Sequence, residues 1–460
     1  MQRDVVITGV GAVSAAGLGA DAAWRALESG EPCIGPMSLI DPAGFACRLA
    51  GEIDGLKARD YVPKSYRKAT KVMARDTEIA VIAAQLAIAD AGLGSRGSAQ
   101  TGAAATPQEA TQIVSGRTGC QIGAGLLSAE LNELTGALAT STTEGDFDSK
   151  RWGGGDQGDS AMDNLPPLWM LKYLPNMLSC HVTIIHGAEG PSNTITCAES
   201  SGLLCLGETA RVIERGDADA CFSGGAESKL NPLGLLRLTF AKRLATTNDS
   251  TDPKAFALPY TAASTGGLPS EAGAILMVES AEHAGGRGAQ VYATISGFGA
   301  GHTASPIFPG VFDEEAGAGY VDTGIRRAVQ AALDDAGVTP DEIDAIVPGA
   351  LGVQAVDTGE LNALREIFGP KLSEIETITV APTLGVSAAG HGAMLAAMAA
   401  MAIHQQRLPA RVHAGGEIPK DFRVGPRAAG DASLHTVLVC TPSLGGQVGA
   451  LILRQAGGAA

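Results

Sequence analysis

Thr194-Ile-Thr-Cys-Ala-Glu199-Ser-Ser-Gly202 is the stretch from which the chain is best read. Ser200 to Arg215 reads as a helix. Ala218-Asp-Ala-Cys-Phe-Ser-Gly-Gly225 follows as a strand pattern, and Thr183-Ile-Ile-His186 precedes as another. Strand, helix and strand in this order predict an α/β fold with buried, mostly parallel strands. Further out, Val5 to Val13 is a β run ending in glycines. Lys64 to Gly92 is a long helical pattern with Gly92 as its stop.

The sequence repeats itself. Ala83-Ala-Gln-Leu-Ala-Ile-Ala-Asp-Ala-Gly-Leu93 matches Ala328-Val-Gln-Ala-Ala-Leu-Asp-Asp-Ala-Gly-Val338, and Ile7-Thr-Gly-Val-Gly-Ala12 is echoed by Ile295-Ser-Gly-Phe-Gly-Ala300. Late in each half a glycine-rich helix start precedes a β run: Ser201-Gly202 before Ser223-Gly-Gly, and Gly390-His-Gly392 before Ser443-Leu-Gly-Gly446. Elements recurring in the same order predict two related halves, 1–250 and 251–460, packed together. Gly97 to Glu109 and Ser141 to Asn164 fit no regular pattern, and an insertion is expected over about 125–170.

Composition narrows the function. With 460 residues, 45% hydrophobic and 18% charged, the chain can bury a large core. No run of eighteen apolar residues is present, so no membrane span is expected. The opening Met1-Gln-Arg-Asp-Val-Val-Ile reads as a strand and not a signal peptide, which makes a cytoplasmic protein the expectation. Eight cysteines lie scattered at 33, 47, 120, 180, 197, 205, 221 and 440 without a CxxC pair. They read as reduced thiols, with no disulfide framework or metal site. A net charge of −16 argues against nucleic acid and requires a local basic patch for any acidic partner.

Asn176-Met-x-x-x-His181-x-Thr-Ile-x-x-Gly-x-x-Gly190-Pro-Ser, then Thr194 to Gly202, then Gly216-Asp-Ala-Asp-Ala-Cys-Phe-Ser-Gly-Gly-Ala-Glu227, form one ordered series. Asn231-Pro-Leu-Gly and Arg243-Leu-Ala-Thr-Thr-Asn-Asp249 continue it. The series resembles the β-ketoacyl-acyl-carrier-protein synthases of the thiolase-like superfamily, which write T-A-C-(S/T)-S, G-D-A-D…G-G-A-E and PLG…ARALSTRND. The resemblance covers essentially the whole chain. It implies duplicated halves in a five-layer α-β-α-β-α arrangement, dimerisation, and acyl or malonyl 4'-phosphopantetheine thioesters as substrates without a further cofactor.

In that register the family's nucleophilic cysteine falls on Glu199, with Cys197 two residues early. The first catalytic histidine falls on Gly349. The lysine and second histidine fall on Ala381 and Val386. The terminal glycine loop is kept as Leu444, Gly445 and Gly446, with Leu444 in the place of a gating phenylalanine. A glutamate at this elbow would make a poor acyl carrier, because the mixed anhydride is labile to water. Glu199 reads either as a helix-capping carboxyl or as an anion kept in place of a thiolate. Cys197 reads as a core thiol, the alternative being a displaced nucleophile. His391 reads as structural, the alternative being a replacement for a lost histidine. Lys64, Arg67, Lys68, Lys71 and Arg75, which cluster at the start of a helix, with Lys242 and Arg243 elsewhere, are either a solvated face or, by the resemblance, the docking site of the acidic acyl carrier protein.

Within the family, a member without the cysteine resembles a chain-length factor, the partner of a cysteine-bearing ketosynthase in a heterodimer. Such subunits usually carry Gln at this position, so Glu199 is a departure. The apolar run Pro166 to Tyr173 would then help form interface and tunnel wall. Two other readings stand beside it: an autonomous ketosynthase or malonyl-carrier-protein decarboxylase using Cys197 or Glu199, and a homodimer that binds acyl groups without chemistry.

Overall fold

In a computed structural model, which describes residues 3–98, 105, 109–153, 160–303 and 319–457, the repeated glycines account for the architecture. Strand β1, Val5–Ser14, lies under helix α1, Arg75–Asp90. A Cβ on Gly9 or Gly11 would stand 2.3 Å from the Ala87 carbonyl oxygen or 1.9 Å from that of Ala83, so helix and strand meet backbone to backbone. The same contact recurs in the second half, where strand β6, Ala293–His302, meets helix α4, Thr323–Ala336. There, Gly297 and Gly299 face the carbonyls of Ala332 and Ala328 at the same two distances. Asp90 accepts from the Val10 amide at 2.8 Å, and Asp335 from the Phe298 amide at 2.9 Å. Both strands shift register at the equivalent step, Ile7/Gly9 and Ile295/Gly297.

The remaining strands along the path of the main sheet are β2 Thr118–Gly123, β3 Ser192–Ile195, β4 Ala220–Glu227, β5 Ala272–Ser280, β7 Ala345–Val347, β8 Glu376–Thr377, β9 Thr436–Thr441 and β10 Gln447–Arg454, and the two-residue strand Gly17–Leu18 pairs with the end of β1 off that path. Their order is β3-β2-β4-β5-β1-β6-β10-β9-β7-β8, two five-strand units joined through β1 and β6 and mirrored about that join. The mirror puts β5 with the first half, so we place the seam between the halves after Ser280 rather than at 250. Helix α1 packs on the outer face of the first unit, with helix α2, Met177–His186. Helix α4 packs on the second unit, with helix α5, Gln354–Phe368. Between the units lie helix α3, Ser201–Glu214, and helix α6, His391–Gln405. The central core draws Leu203 and Met394 from these helices, Val10 and Leu276 from one unit, and Val439 and Leu453 from the other. This is the thiolase-like α-β-α-β-α layering.

Three readings of local structure change. The sheet is mixed: β3, β2 and β4 run parallel, as do β9, β7 and β8, but β4-β5-β1-β6-β10-β9 are antiparallel throughout. Thr183 to His186 ends helix α2 and is no strand, because Leu178, Val182 and Ile185 recur at helical spacing and are buried. The helix expected from Lys64 starts only at Arg75. Short 3₁₀ turns over Lys64–Tyr66 and Ala69–Val72 precede it, with Met73 and Ala74 extended. In one continuous helix, Lys64, Lys68, Lys71 and Arg75 would share a solvent face; the break frees Arg75 to bind buried Glu271 through two bonds of 2.8 Å. Most of Gly97–Glu109, and the part of Ser141–Asn164 over 154–159, lie outside the described residues.

Candidate functional site

The two central helices begin side by side. Ala198 and Ala388, one turn ahead of α3 and α6, take φ of +44° and +45°. A non-glycine residue adopts that left-handed backbone only where its surroundings hold it there. A Cβ on Gly202 would come within 2.6 Å of the Ala393 amide nitrogen, and one on Gly392 within 2.8 Å of the Glu199 carbonyl oxygen, so the starts of α3 and α6 are locked together. Glu199 follows the strained alanine and is buried. Its carboxyl accepts from the Leu444 amide at 2.8 Å, which ties the first-half turn to the loop Ser443–Gly446 between β9 and β10. Ser200 Oγ donates to the Thr441 carbonyl at 2.8 Å and fixes the same loop from the other side.

His391 opens α6 and is fully buried. Its Nε2 lies 2.9 Å from the carbonyl oxygen of Gly349. A carbonyl only accepts, so Nε2 carries the proton and Nδ1 is a bare acceptor with no hydrogen-bond partner among the described residues. Burial lowers the His391 pKa; the Gly349 bond and the charge of Glu199 oppose that shift without reversing it. The Gly349 amide donates to Glu360 at 2.9 Å, and Tyr260 donates its hydroxyl to the same carboxyl at 2.8 Å. The chain Tyr260–Glu360–Gly349–His391 therefore reaches the elbow from the second half. None of its members except His391 and Gly349 was anticipated. The Asp357-x-x-Glu360 spacing on α5 was the available signal.

A narrow pocket opens beside the elbow. Glu199, Arg243, Leu351, Val353, Val386 and Ala388 are among its walls. Ala381 and Val386 line an adjoining hollow with Gly352 and Phe256. Glu199, His391, Gly349, Val386 and Leu444 thus gather at one place, whereas Cys197 sits half-buried just before the turn. The Cys197 amide donates to Ser201 Oγ at 2.8 Å, and burial raises its thiol pKa, the opposite of what a nucleophile requires.

Arg243 is corrected. It does not belong to an exposed docking surface: it is 6% exposed and lines this pocket, because the chain turns at Lys242, where φ is +53°. Lys64, Lys68 and Lys71 are exposed and Arg67 half-buried, as a protein-facing patch would need. No cluster of three or more histidine, cysteine or acidic side chains suited to a metal occurs among the described residues. None of their helices is long and apolar enough to cross a membrane.

Family models for the β-ketoacyl synthase N-terminal and C-terminal domains match residues 2–284 and 311–415. The chain belongs to the β-ketoacyl synthase family. The tetracenomycin polyketide synthase ketoacyl synthase beta subunit of Streptomyces glaucescens is 30% identical over 455 residues, 98% of each chain. The 3-oxoacyl-[acyl-carrier-protein] synthase 2 of Staphylococcus aureus (strain COL) is 26% identical over 454 residues, again 98% of each. Among solved structures, the ishigamide ketosynthase/chain length factor superposes with a TM-score of 0.78 at 24% identity, covering 99% of this chain and 100% of that one. A type II polyketide ketosynthase in complex with its acyl-carrier protein gives 0.78 at 21%, with the same coverage. The fold shared with both is that of the ketosynthases.

Proposed function

We propose that this β-ketoacyl synthase homologue is a non-condensing, chain-length-factor-like subunit that works beside a cysteine-bearing ketosynthase on carrier-protein-bound acyl thioesters. The observation that carries the reading is the elbow itself. The backbone takes a left-handed turn at Ala198, and the next residue is a carboxyl bonded to the Leu444 amide. That supports the register placing Glu199 where the family has its nucleophile. With Gly349, Ala381 and Val386 at the aligned histidine and lysine positions, no side chain there can polarise a malonyl carbonyl.

The surface supports a partner. Leu126, Phe147, Met162, Leu168, Met170 and Phe240 are 47–70% exposed, an unusual display of large apolar side chains. Their segments are joined: Lys229 and Arg237 donate to the Leu126 carbonyl, and Lys172 and Tyr173 to Glu133. Among the described residues, strand β3 at the end of the sheet pairs only with β2 and leaves its other edge open. A beta-subunit relative and a ketosynthase/chain-length-factor neighbour favour a heterodimer over a homodimer. The exposed lysines at 64, 68 and 71 are the acyl-carrier-protein side of the proposal.

One experiment separates the readings. The chain is incubated with malonyl- and acyl-carrier protein, alone and with a cysteine-bearing homologue, and followed by mass spectrometry beside Cys197→Ala and Glu199→Ala. No adduct alone and condensation only with the homologue are expected. An acyl adduct on Cys197, or carbon dioxide release abolished by Glu199→Ala, would replace the proposal with an autonomous synthase or decarboxylase. Silence in both settings would leave an acyl-binding homodimer.

A further inference from the structure

A separate hollow of roughly 440 Å³ opens between residues 410–413 and 426–428 and shares no lining residue with the pockets at the elbow. Lys254, Arg411 and Arg427 line it with Val412, His413 and Pro426, and no acidic side chain is among its described walls. Arg411 and Arg427 stand opposite each other on an antiparallel backbone pair, each amide donating to the other's carbonyl at 2.9 and 3.2 Å. Like charges placed directly opposite repel. One carboxylate, Glu376 on β8, serves both of them and Arg423 as well, at 3.5 Å from Arg411, 2.9 Å from Arg427 and 2.5 Å from Arg423. Three guanidiniums against one carboxylate leave an excess of two positive charges, on a chain whose net charge is −16. Burial, then the charges of Arg427 and Arg423, bring the Arg411 pKa down to about 10 against the pull of Glu376. Arg411 is 9% exposed and forms its hydrogen bonds through Nη1, to Thr377 Oγ1 at 2.9 Å and to the Arg423 carbonyl. Its Nε and the Nε of Arg427 are buried without an acceptor among the described residues, and such donors are costly to leave unmet. Lys254 is paired with Glu31 at 2.8 Å, but the two side chains are 47% and 70% exposed, so that pair is weak.

We propose that Lys254, Arg411 and Arg427 form a binding site for the phosphate group of a small molecule, separate from the pocket at the elbow. A phosphate dianion matches the excess of two charges, and its three acceptor oxygens suit a group of donors that share one carboxylate. A monocarboxylate would supply half of that charge. The segment that carries the site is also tied to the hollow beside the elbow. His413 Nε2 donates to the Pro259 carbonyl at 3.1 Å and the Ala414 amide to the Ala257 carbonyl at 2.8 Å, and Ala257 and Pro259 line that hollow. A phosphate held here therefore steadies one wall of that hollow from outside. The inference does not rest on the partner-subunit reading, and either can fail while the other stands.

The test is calorimetric titration of the purified chain with inorganic phosphate, adenosine monophosphate and acetate at pH 8 and matched ionic strength. At least one of the two phosphates should bind at a single saturable site about tenfold or more tightly than acetate, as a doubly charged group among guanidiniums requires. Lys254→Gln and Arg427→Gln should each weaken that binding at least about threefold. Arg326→Gln, which lies outside the hollow, should leave it unchanged. Circular dichroism of each variant establishes that it is folded. If Arg427→Gln is not, the exposed Lys254→Gln and the comparison of ligands on the wild-type chain still decide. Tighter binding of the nucleotide identifies the phosphate end of a nucleotide as the occupant, and equal or tighter binding of inorganic phosphate identifies the free ion; both uphold the site. No saturable binding, acetate held as tightly as phosphate, or a phosphate affinity that the Lys254 and Arg427 variants leave unchanged overturns it.

Discussion

Glu360 and Asp357 hold protons that the unfolded chain would release. Burial pushes Asp357 up from 3.8 to about 7 and Glu360 from 4.5 to about 8. Between each pair of values the folded state binds more protons than the unfolded one, so these two groups lower stability as pH rises from about 4 to about 8, and the slope ends above that. Urea unfolding at pH 5 and pH 8 measures this. Glu360→Gln should flatten the slope while leaving an acceptor for Tyr260; an unchanged slope would exclude Glu360 as its source. At the elbow, Glu199→Ala leaves the Leu444 amide without its acceptor and should cost about 1–3 kcal/mol. Glu199→Gln keeps the acceptor and should cost clearly less in the same denaturation assay. Residues were legible where a motif fixed their number: the quoted strings located Glu199 and the loop at Leu444. Arg243 was not, because its neighbour Lys242 is exposed and only the turn between them decides which basic side chain goes inside. Nor was the Tyr260–Glu360 contact, which joins residues 100 apart.

Among elements, the close approach of α1 to β1 and of α4 to β6 leaves no space for a methyl group. Gly11→Ala or Gly299→Ala should each lower stability by about 3 kcal/mol or more, since the new Cβ meets a helix carbonyl oxygen at 1.9 Å and only a backbone shift relieves it. Gly285→Ala, where nothing lies within 4 Å, serves as the control and should be neutral or slightly stabilising. Chemical denaturation of the three variants checks both statements. Loss from Gly285→Ala equal to that from Gly299→Ala would mean that the packing argument is wrong. These contacts explain why duplication was readable from sequence: Gly9, Gly11, Ala83, Ala87 and Asp90 each carry a steric or hydrogen-bonding duty that their counterparts repeat. Strand direction was not readable, since an antiparallel strand buried on both faces has the same apolar composition as a parallel one. Thr183-Ile-Ile-His186 misled for a related reason: β-branched residues favour strands, but packing of α2 against α1 overrides that preference.

At the scale of the whole molecule, the exposed apolar side chains and the unpaired edge of β3 predict association. Light scattering on a size-exclusion column should find the chain as a dimer, with itself or with a coexpressed cysteine-bearing homologue. Leu168→Glu combined with Phe240→Glu should shift it toward monomer without changing its circular dichroism. A wild-type monomer under both conditions would remove the dimer from the proposal. Five-layer architecture was legible through family resemblance, whereas the partner surface was only hinted at by Pro166 to Tyr173, whose apolar residues suit a core equally well.

The interdigitated centre has a consequence for how the protein is made. Helix α3 is covered on one side by β2 and β4 of its own half, but its other cover, α6 and β10, comes from the second half. Helix α6 begins nearly two hundred residues after α3 does. At a synthesis rate of about 5–20 residues per second, the nascent chain carries that apolar face uncovered for about 10–40 s. During that interval the first half cannot complete its own core, and the apolar side of α3 that α6 will cover stays open to solvent.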